Sequence, residues 1–121
     1  MRTGLILFAH GARDPRWAAP FEAVAARVRE LRPAAQVRLA FLELMPPKLS
    51  EAAAELVAAG CSHVAVLPLF LGTGSHLRKD LPLLMQQLHE QYPSTHFALH
   101  DAVGEHSAMI AAMAGVAAAT L

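Results

Sequence analysis

The chain has 121 residues, a formal net charge of zero with histidine neutral, and a composition that is 55% hydrophobic but only 6% aromatic. This length and apolar content predict a single packed domain over residues 1–121, with a core built from Ala, Leu and Val. Its 10 basic residues are balanced by 10 acidic ones. Nucleic acid is therefore not expected as a partner, because a phosphate-binding surface needs a basic excess.

The cysteine content and the apolar runs indicate in which cellular compartment the protein is expected. The single cysteine, Cys61, excludes an internal disulfide and favours a reducing cytoplasm. A short apolar run over 5–9 follows the amino terminus, so no signal peptide is predicted. No apolar run approaches the roughly 20 residues that a bilayer crossing needs, so we expect no membrane partner.

Two strand–helix units are predicted in the first half of the chain. The apolar run over 5–9 predicts a strand that ends at His10. A helix starts near Pro20 and ends before residue 33. A second strand is predicted over 36–43, with Glu43 at its carboxyl end. The first helix carries one apolar face, expected in the core: Phe21, Val24, Ala25, Val28 and Leu31.

The second half continues this alternation. A helix with Gly60 at its C-cap precedes a third strand over 62–70. A loop over 71–76 leads to a third helix, and a short fourth strand is predicted over 96–100. The Ala-rich segment 107–121 predicts a last helix that faces either the core or a second copy of the chain. The helical spacing places Met109, Met113 and Val116 on one side of it.

Strands that alternate with helices at this spacing predict right-handed βαβ crossovers. The expected fold is a three-layer, doubly wound α/β domain with a four-stranded parallel sheet. In such a sheet, ligands bind outside the carboxyl ends of the strands, where loops and helix N-termini converge. His10, Glu43 and His76 each follow a predicted strand, so we expect them to share one rim.

Two imidazoles and a carboxylate at one rim suit two kinds of chemistry. They can bind a divalent transition metal, with Glu43 as third ligand or as base. They can also transfer protons near neutral pH, where histidine changes its charge. The residues alone leave both roles open. His100 and His106 are weaker candidates near the same rim.

The glycines at 72 and 74 predict a sharp turn or a close approach to a ligand. The segment Gly72-Thr73-Gly74 does not match a phosphate-binding loop, because the Gly-Lys-Ser/Thr ending is missing.

Three segments carry a resemblance to a known family. They are HGARDPRW at 10–17, FLELMPP at 41–47 and PLFLGTGSHLRKDLP at 68–82. Their order and spacing resemble the small class II chelatases that insert metal into sirohydrochlorin, the CbiX/SirB group. The resemblance extends through nearly the whole chain.

The resemblance implies a chelatase-like fold and a lyase-class reaction in tetrapyrrole (cobalamin or siroheme) biosynthesis. A divalent ion, Co²⁺ or else Fe²⁺ or Ni²⁺, would be a substrate, and no organic cofactor is implied. His10 and His76 would bind the metal, with His10 also accepting a pyrrole proton and Glu43 as an acidic neighbour. Tetrapyrrole contacts are implied for Pro46, Leu71, Gly72, Thr73, Gly74 and Ser75.

A flat macrocycle that bears carboxylates needs an apolar floor and cations at its rim. The residues expected to form the floor are Leu44, Met45, Phe70 and Leu71. The cations that flank the same loops are Arg13, Arg16, Lys48, Arg78 and Lys79.

Short members of the family pair as homodimers, so the resemblance implies a homodimer here. Two other hypotheses stay open: a non-catalytic metal or tetrapyrrole carrier, and a purely structural dimer module. The chain departs from the family pattern at Ser107, where a proline is expected after His106.

Overall fold

The computed structural model describes residues 2–121. The strands are β1 (Arg2–Ala9), β2 (Gln36–Phe41), β3 (Cys61–Pro68) and β4 (His96–Leu99). The α-helices between and after them are α1 (Ala19–Leu31), α2 (Leu49–Ala58), α3 (Ser75–Gln91) and α4 (Ser107–Ala118). Short 3-10 helices, Pro15–Ala18 and Val103–Glu105, precede α1 and α4.

The strands form one parallel sheet in the order β2-β1-β3-β4, which confirms the predicted doubly wound α/β fold. β1 is central, and Ile6, Leu7, Phe8 and Ala9 are at most 1% exposed. An unbroken apolar run of this kind is typical of a strand covered on both faces. From β1 the chain steps to β2 on one side and then to β3 on the other. The topological switch point, where ligands bind in such sheets, therefore lies between β1 and β3.

Helices cover both faces of the sheet. On one face, Phe8 and Val66 pack in an apolar cluster with Leu56 of α2 and Met85 of α3. On the other face, Leu7 packs with Ala25 of α1 in a second cluster. These three layers hold the carboxyl ends of β1 and β3 in fixed positions.

The buried face of α1 is narrower than predicted. Ala25 is buried, but Val24 and Leu31 are 43% and 61% exposed. α1 packs over the edge strand β2, and its Arg29 Nη2 donates to the Val37 carbonyl at 2.8 Å. A helix over an edge strand buries only the residues that face it, and single exposed apolar side chains are common on protein surfaces.

The core-facing alternative for the last helix is wrong. No residue of α4 is buried, and Ile110, Met113 and Val116 are 54%, 39% and 71% exposed. A helix that is apolar all round gives no periodic signal for a buried face, so the sequence pattern could not orient it. The dimer-facing alternative stays a prediction.

The loop predicted over 71–76 is also corrected. β3 ends at Pro68, and α3 begins at Ser75, so Ser75 and His76 lie in the first helical turn with Gly74 as N-cap residue. The Arg78 amide donates to the Gly74 carbonyl at 3.1 Å and closes this turn.

The remaining strand predictions differ from the structure only at their ends. Glu43 lies beyond β2, and β1 begins earlier than expected. No helix among residues 2–121 has both the length and the apolarity needed to cross a membrane.

Candidate active site

His10 and Glu43 meet where β1 and β2 end. The His10 carbonyl accepts a hydrogen bond from the Glu43 amide at 3.1 Å, and the Ala9 carbonyl accepts one from Leu42 at 2.9 Å. The ladder between the two strands thus continues past their ends and brings the side chains together. His10 Nε2 lies 3.5 Å from Glu43 Oε1, and the two side chains are 52% and 55% exposed.

Gly11 makes this approach of the two backbones possible. It has a φ of +99°, and a Cβ added at this position would lie 1.9 Å from the Glu43 carbonyl oxygen. Only glycine tolerates both the left-handed conformation and the contact. Sequence reasoning placed the critical glycines at 72 and 74 and missed this one. The available signal was its position directly after the predicted ligand His10.

Leu44, which follows Glu43, also has a positive φ, 68°. For a residue other than glycine this conformation costs roughly 1–2 kcal/mol. Such outliers persist where the surrounding structure dictates them, and they cluster at functional sites.

The Phe70 ring packs against the His10 ring. The two ring centroids are 5.8 Å apart in an edge-to-face arrangement with an interplanar angle of 67°. Phe70 is only 6% exposed, so it belongs mainly to the core. Of the predicted floor residues, Leu44 and Leu71 are 56% and 69% exposed and present apolar surface at the rim.

A turn from the far end of the chain fixes the start of the segment after β3. The Gly104 amide donates to the Phe70 carbonyl at 2.9 Å. A Cβ at Gly104 would lie 1.8 Å from the Leu71 carbonyl oxygen. Gly104 is thus the second glycine with a steric role here, and sequence reasoning gave it none.

The predicted conformational role of Gly72 and Gly74 is not seen. Neither has a positive φ, and a Cβ at either position would have no neighbour within 4 Å. Their surroundings are open: Ser75, His76 and Pro46 are exposed, and Thr73 is half-buried. The conformation of this part of the rim is therefore not imposed by close packing around its glycines.

The structure brings His10 to Glu43 but does not gather a third ligand with them. Among residues 2–121, no group of three His, Cys, Asp or Glu side chains lies close enough to hold a metal ion. His76 is exposed in the first turn of α3. Its role as a metal ligand therefore stays a prediction.

The cations predicted at the rim differ in their partners. Arg16 Nη2 lies 2.9 Å from Asp14 Oδ2, and the hydrogen bonds from the side chain and then the backbone of Arg16 hold the pKa of Asp14 below its usual value. Arg16 is therefore engaged locally. The other four predicted cations form no salt bridge within residues 2–121. They are Arg13, Lys48, Arg78 and Lys79.

His106 is placed at the N-cap position of α4, but its side chain makes no capping hydrogen bond.

The protein is an open α/β sheet whose carboxyl rim carries an imidazole–carboxylate pair. Such a pair can bind a metal ion or transfer a proton. The family model for CbiX matches residues 4–119. The chain belongs to the CbiX family.

Curated relatives agree with this family. The sirohydrochlorin cobaltochelatase of Saccharolobus solfataricus is 36% identical over 84 residues, which are 68% of this chain and 62% of the relative. That of Methanopyrus kandleri is 31% identical over 81 residues, 67% of this chain and 57% of the relative. These matches thus span less than two thirds of the relatives' length.

Solved structures share the fold. A Marinobacter aquaeolei VT8 CbiX protein assigned to cobalamin (vitamin B12) biosynthesis superposes with a TM-score of 0.85 at 30% identity, covering 98% of this chain and 96% of that one. The sirohydrochlorin chelatase SirB of Bacillus subtilis subspecies spizizenii, in complex with cobalt, gives a TM-score of 0.82 at 24% identity. That match covers 95% of this chain but 49% of SirB.

Proposed function

We propose that this chain is a lyase-class chelatase that inserts a divalent ion into sirohydrochlorin. Co²⁺ is the foremost candidate, and Fe²⁺ and Ni²⁺ are the others. The observation that carries the proposal is the His10–Glu43 pair, 3.5 Å apart at the carboxyl rim of a CbiX-family sheet. The name of the curated relatives, sirohydrochlorin cobaltochelatase, supports the substrate and the metal.

His10 is the proposed base. Metal insertion removes two N–H protons from the macrocycle, and imidazole accepts protons near neutral pH. The Glu43 carboxylate, 3.5 Å from Nε2, supplies the opposite charge once His10 is protonated. Because both side chains are about half exposed, the proton can pass on to solvent.

The same pair is also the proposed initial binding site for the metal. Late first-row divalent ions accept imidazole and carboxylate ligands, and His76 is the proposed third ligand. The metal is a substrate here, so it must leave the protein for the ring nitrogens. An exposed site with few protein ligands suits that transfer better than a closed cage does.

The tetrapyrrole is proposed to lie over the segment after β3. Leu71 presents apolar surface, and Arg13 has no salt bridge within residues 2–121, so its guanidinium can pair with substrate carboxylates. The other proposed contacts are Pro46, Gly72, Thr73, Gly74 and Ser75.

We further propose a homodimer that uses α4. This helix has no charged residue and no buried one. Beside it lies an apolar cavity of about 540 Å³, lined by Leu67 of β3 and Met109 of α4 among others. An apolar surface of this kind is typical of an interface between subunits. One copy matches 49% of SirB, so two copies approach the length of that chain.

Residues 1–121 are proposed to act as one chelatase-like unit in the cytoplasm. The support is Cys61, which is 4% exposed and unpaired. A lone buried thiol fits a reducing compartment.

The proposed activity is tested by following the absorption spectrum of sirohydrochlorin with Co²⁺, Fe²⁺ or Ni²⁺ under anaerobic conditions. We expect multiple turnovers by the wild-type protein, and loss of the accelerated rate in His76→Ala. Arg32→Ala, at an exposed arginine just beyond the C-terminal end of α1 and far from the rim, is the control. A wild-type rate equal to that of metal and sirohydrochlorin alone would overturn the proposal. Stoichiometric binding without turnover would identify a carrier instead.

The dimer is tested by light scattering after size-exclusion chromatography. We expect Ile110→Asp in α4 to shift the mass to that of a monomer. Val24→Asp, at an exposed valine of α1, is the matched control and should leave the dimer intact. A monomeric wild-type protein would refute the interface.

A further inference from the structure

A second group of histidines lies at the opposite end of the sheet from the rim. His63 is near the start of β3, His96 is the first residue of β4, and His89 is in the last turns of α3. We name these three residues the amino-end His cluster. None of them takes part in the proposed chelatase chemistry.

The sheet places two of the three side by side. His63 and His96 are register partners in the parallel pairing of β3 with β4, so their side chains leave the sheet on the same face. Their ring centroids are 5.6 Å apart with an interplanar angle of 69°. The His89 ring lies 6.3 Å from that of His96.

Hydrogen bonds of Thr95 hold the backbone next to His63 and His96. Thr95 Oγ1 donates to the Cys61 carbonyl at 3.4 Å, and the Thr95 amide donates to the Tyr92 carbonyl at 3.0 Å. The first bond joins the start of β4 to the start of β3, and the second closes the turn before β4. The three imidazoles themselves are exposed, so their rings can turn without disturbing the core.

The cluster borders a recess in the surface. His63, His89 and His96 line a cavity of about 320 Å³ together with Ser62. The recess leaves room beside the three rings for an ion and its water ligands.

We propose that the amino-end His cluster is a second binding site for a late first-row divalent cation. Two imidazoles that share one ion at about 2.0–2.1 Å have ring centroids roughly 5 Å apart, close to the 5.6 Å between His63 and His96. No three ligands are already gathered within residues 2–121. His63 and His96 are therefore the primary ligands, and His89 joins by rotation of its side chain. This site does not depend on the proposed chelatase function.

The probe for this site is Zn²⁺, which is diamagnetic and accepts imidazole ligands. Zn²⁺ is titrated into the full chain carrying His10→Gln and His76→Gln, so that the proposed rim ligands do not contribute. Histidine ring resonances are followed by ¹H–¹⁵N NMR at pH 7.5. We expect saturable shifts of the His63 and His96 rings first and of His89 with them.

Substitutions identify the ligands. His63→Gln or His96→Gln should weaken Zn²⁺ binding by about tenfold or more, and His89→Gln by about threefold. His100→Gln, at an exposed histidine at the other end of β4, is the control and should bind as the parent does. Binding should also weaken at pH 5.5, because protonated imidazole cannot bind metal.

The result that would overturn the proposal is equal Zn²⁺ affinity in His63→Gln, His96→Gln and His100→Gln. Ring resonances of His63 and His96 that do not shift at millimolar Zn²⁺ would overturn it as well. Amide spectra of each variant verify that the fold is retained.

Discussion

The proposed site occupies two parts of the rim, which we name the first and the second wall, and these are built differently. The first wall consists of His10, Gly11 and Glu43, whose backbones are joined by hydrogen bonds and by the close contact of Gly11 with the Glu43 carbonyl. The second wall, 71–76, is largely exposed, and its two glycines have open space around them. Leu71 is held by Gly104 at one end, and Ser75 and His76 are held in the first turn of α3 at the other.

This contrast assigns different tasks to the walls. A base and a metal ligand must be held in a defined geometry to act efficiently. A large flat substrate instead has to enter and leave, which favours a surface with few packing constraints. In the proposed mechanism the base lies in the first wall, whereas the second wall contributes the tetrapyrrole contacts and the metal ligand His76.

The largest effect is expected from His10→Ala in the first wall. It removes the proposed base and one metal ligand while leaving the backbone unchanged, and the kcat for metal insertion should fall by about 10²–10⁴-fold. Steady-state assays with each metal measure this loss. Arg32→Ala, at an exposed residue at the opposite end of the sheet, is the control. A kcat within threefold of wild type would show that the first wall does not carry the chemistry.

Gly11→Ala should be the most destabilising change at the rim. The added Cβ meets the Glu43 carbonyl, and φ is +99°, so we expect a loss of about 2–4 kcal/mol in the free energy of unfolding and lower activity in the folded fraction. Urea denaturation followed by circular dichroism measures the loss. Unchanged stability would mean that the backbones of the first wall are not in close contact.

Glu43→Gln should have a smaller effect than His10→Ala. The amide keeps the shape of the side chain but removes the charge beside His10, so the kcat should fall by about tenfold. The separation of kcat from KM for the metal distinguishes the two roles of Glu43. A rise in KM alone would identify a ligand, and a fall in kcat alone would identify a partner of the base.

Gly72→Ala in the second wall should change little. No atom lies within 4 Å of the added Cβ, so we expect a change in unfolding free energy of about 0.5 kcal/mol or less. The same urea titration provides the comparison with Gly11→Ala. A destabilisation as large as that of Gly11→Ala would remove the distinction between the walls.

The sequence predicted those features that depend on local pattern. The unbroken apolar run of β1 indicated a doubly covered central strand, and parallel topology then brought His10 and Glu43 to one rim. Gly11 and Glu43 touch through a contact between segments distant in sequence, which no periodicity reports. α4 has apolar residues on every side, so the pattern that oriented α2 and α3 carried no information there.

The contact of Gly104 with Leu71 ties the start of the second wall to a segment that directly precedes α4. Displacement of Leu71 toward Gly104 is blocked, because a Cβ at Gly104 would lie only 1.8 Å from the Leu71 carbonyl oxygen. No comparable neighbour lies at Gly72 or Gly74. The position of the first apolar side chain of this wall therefore depends on a turn that is far away in the sequence.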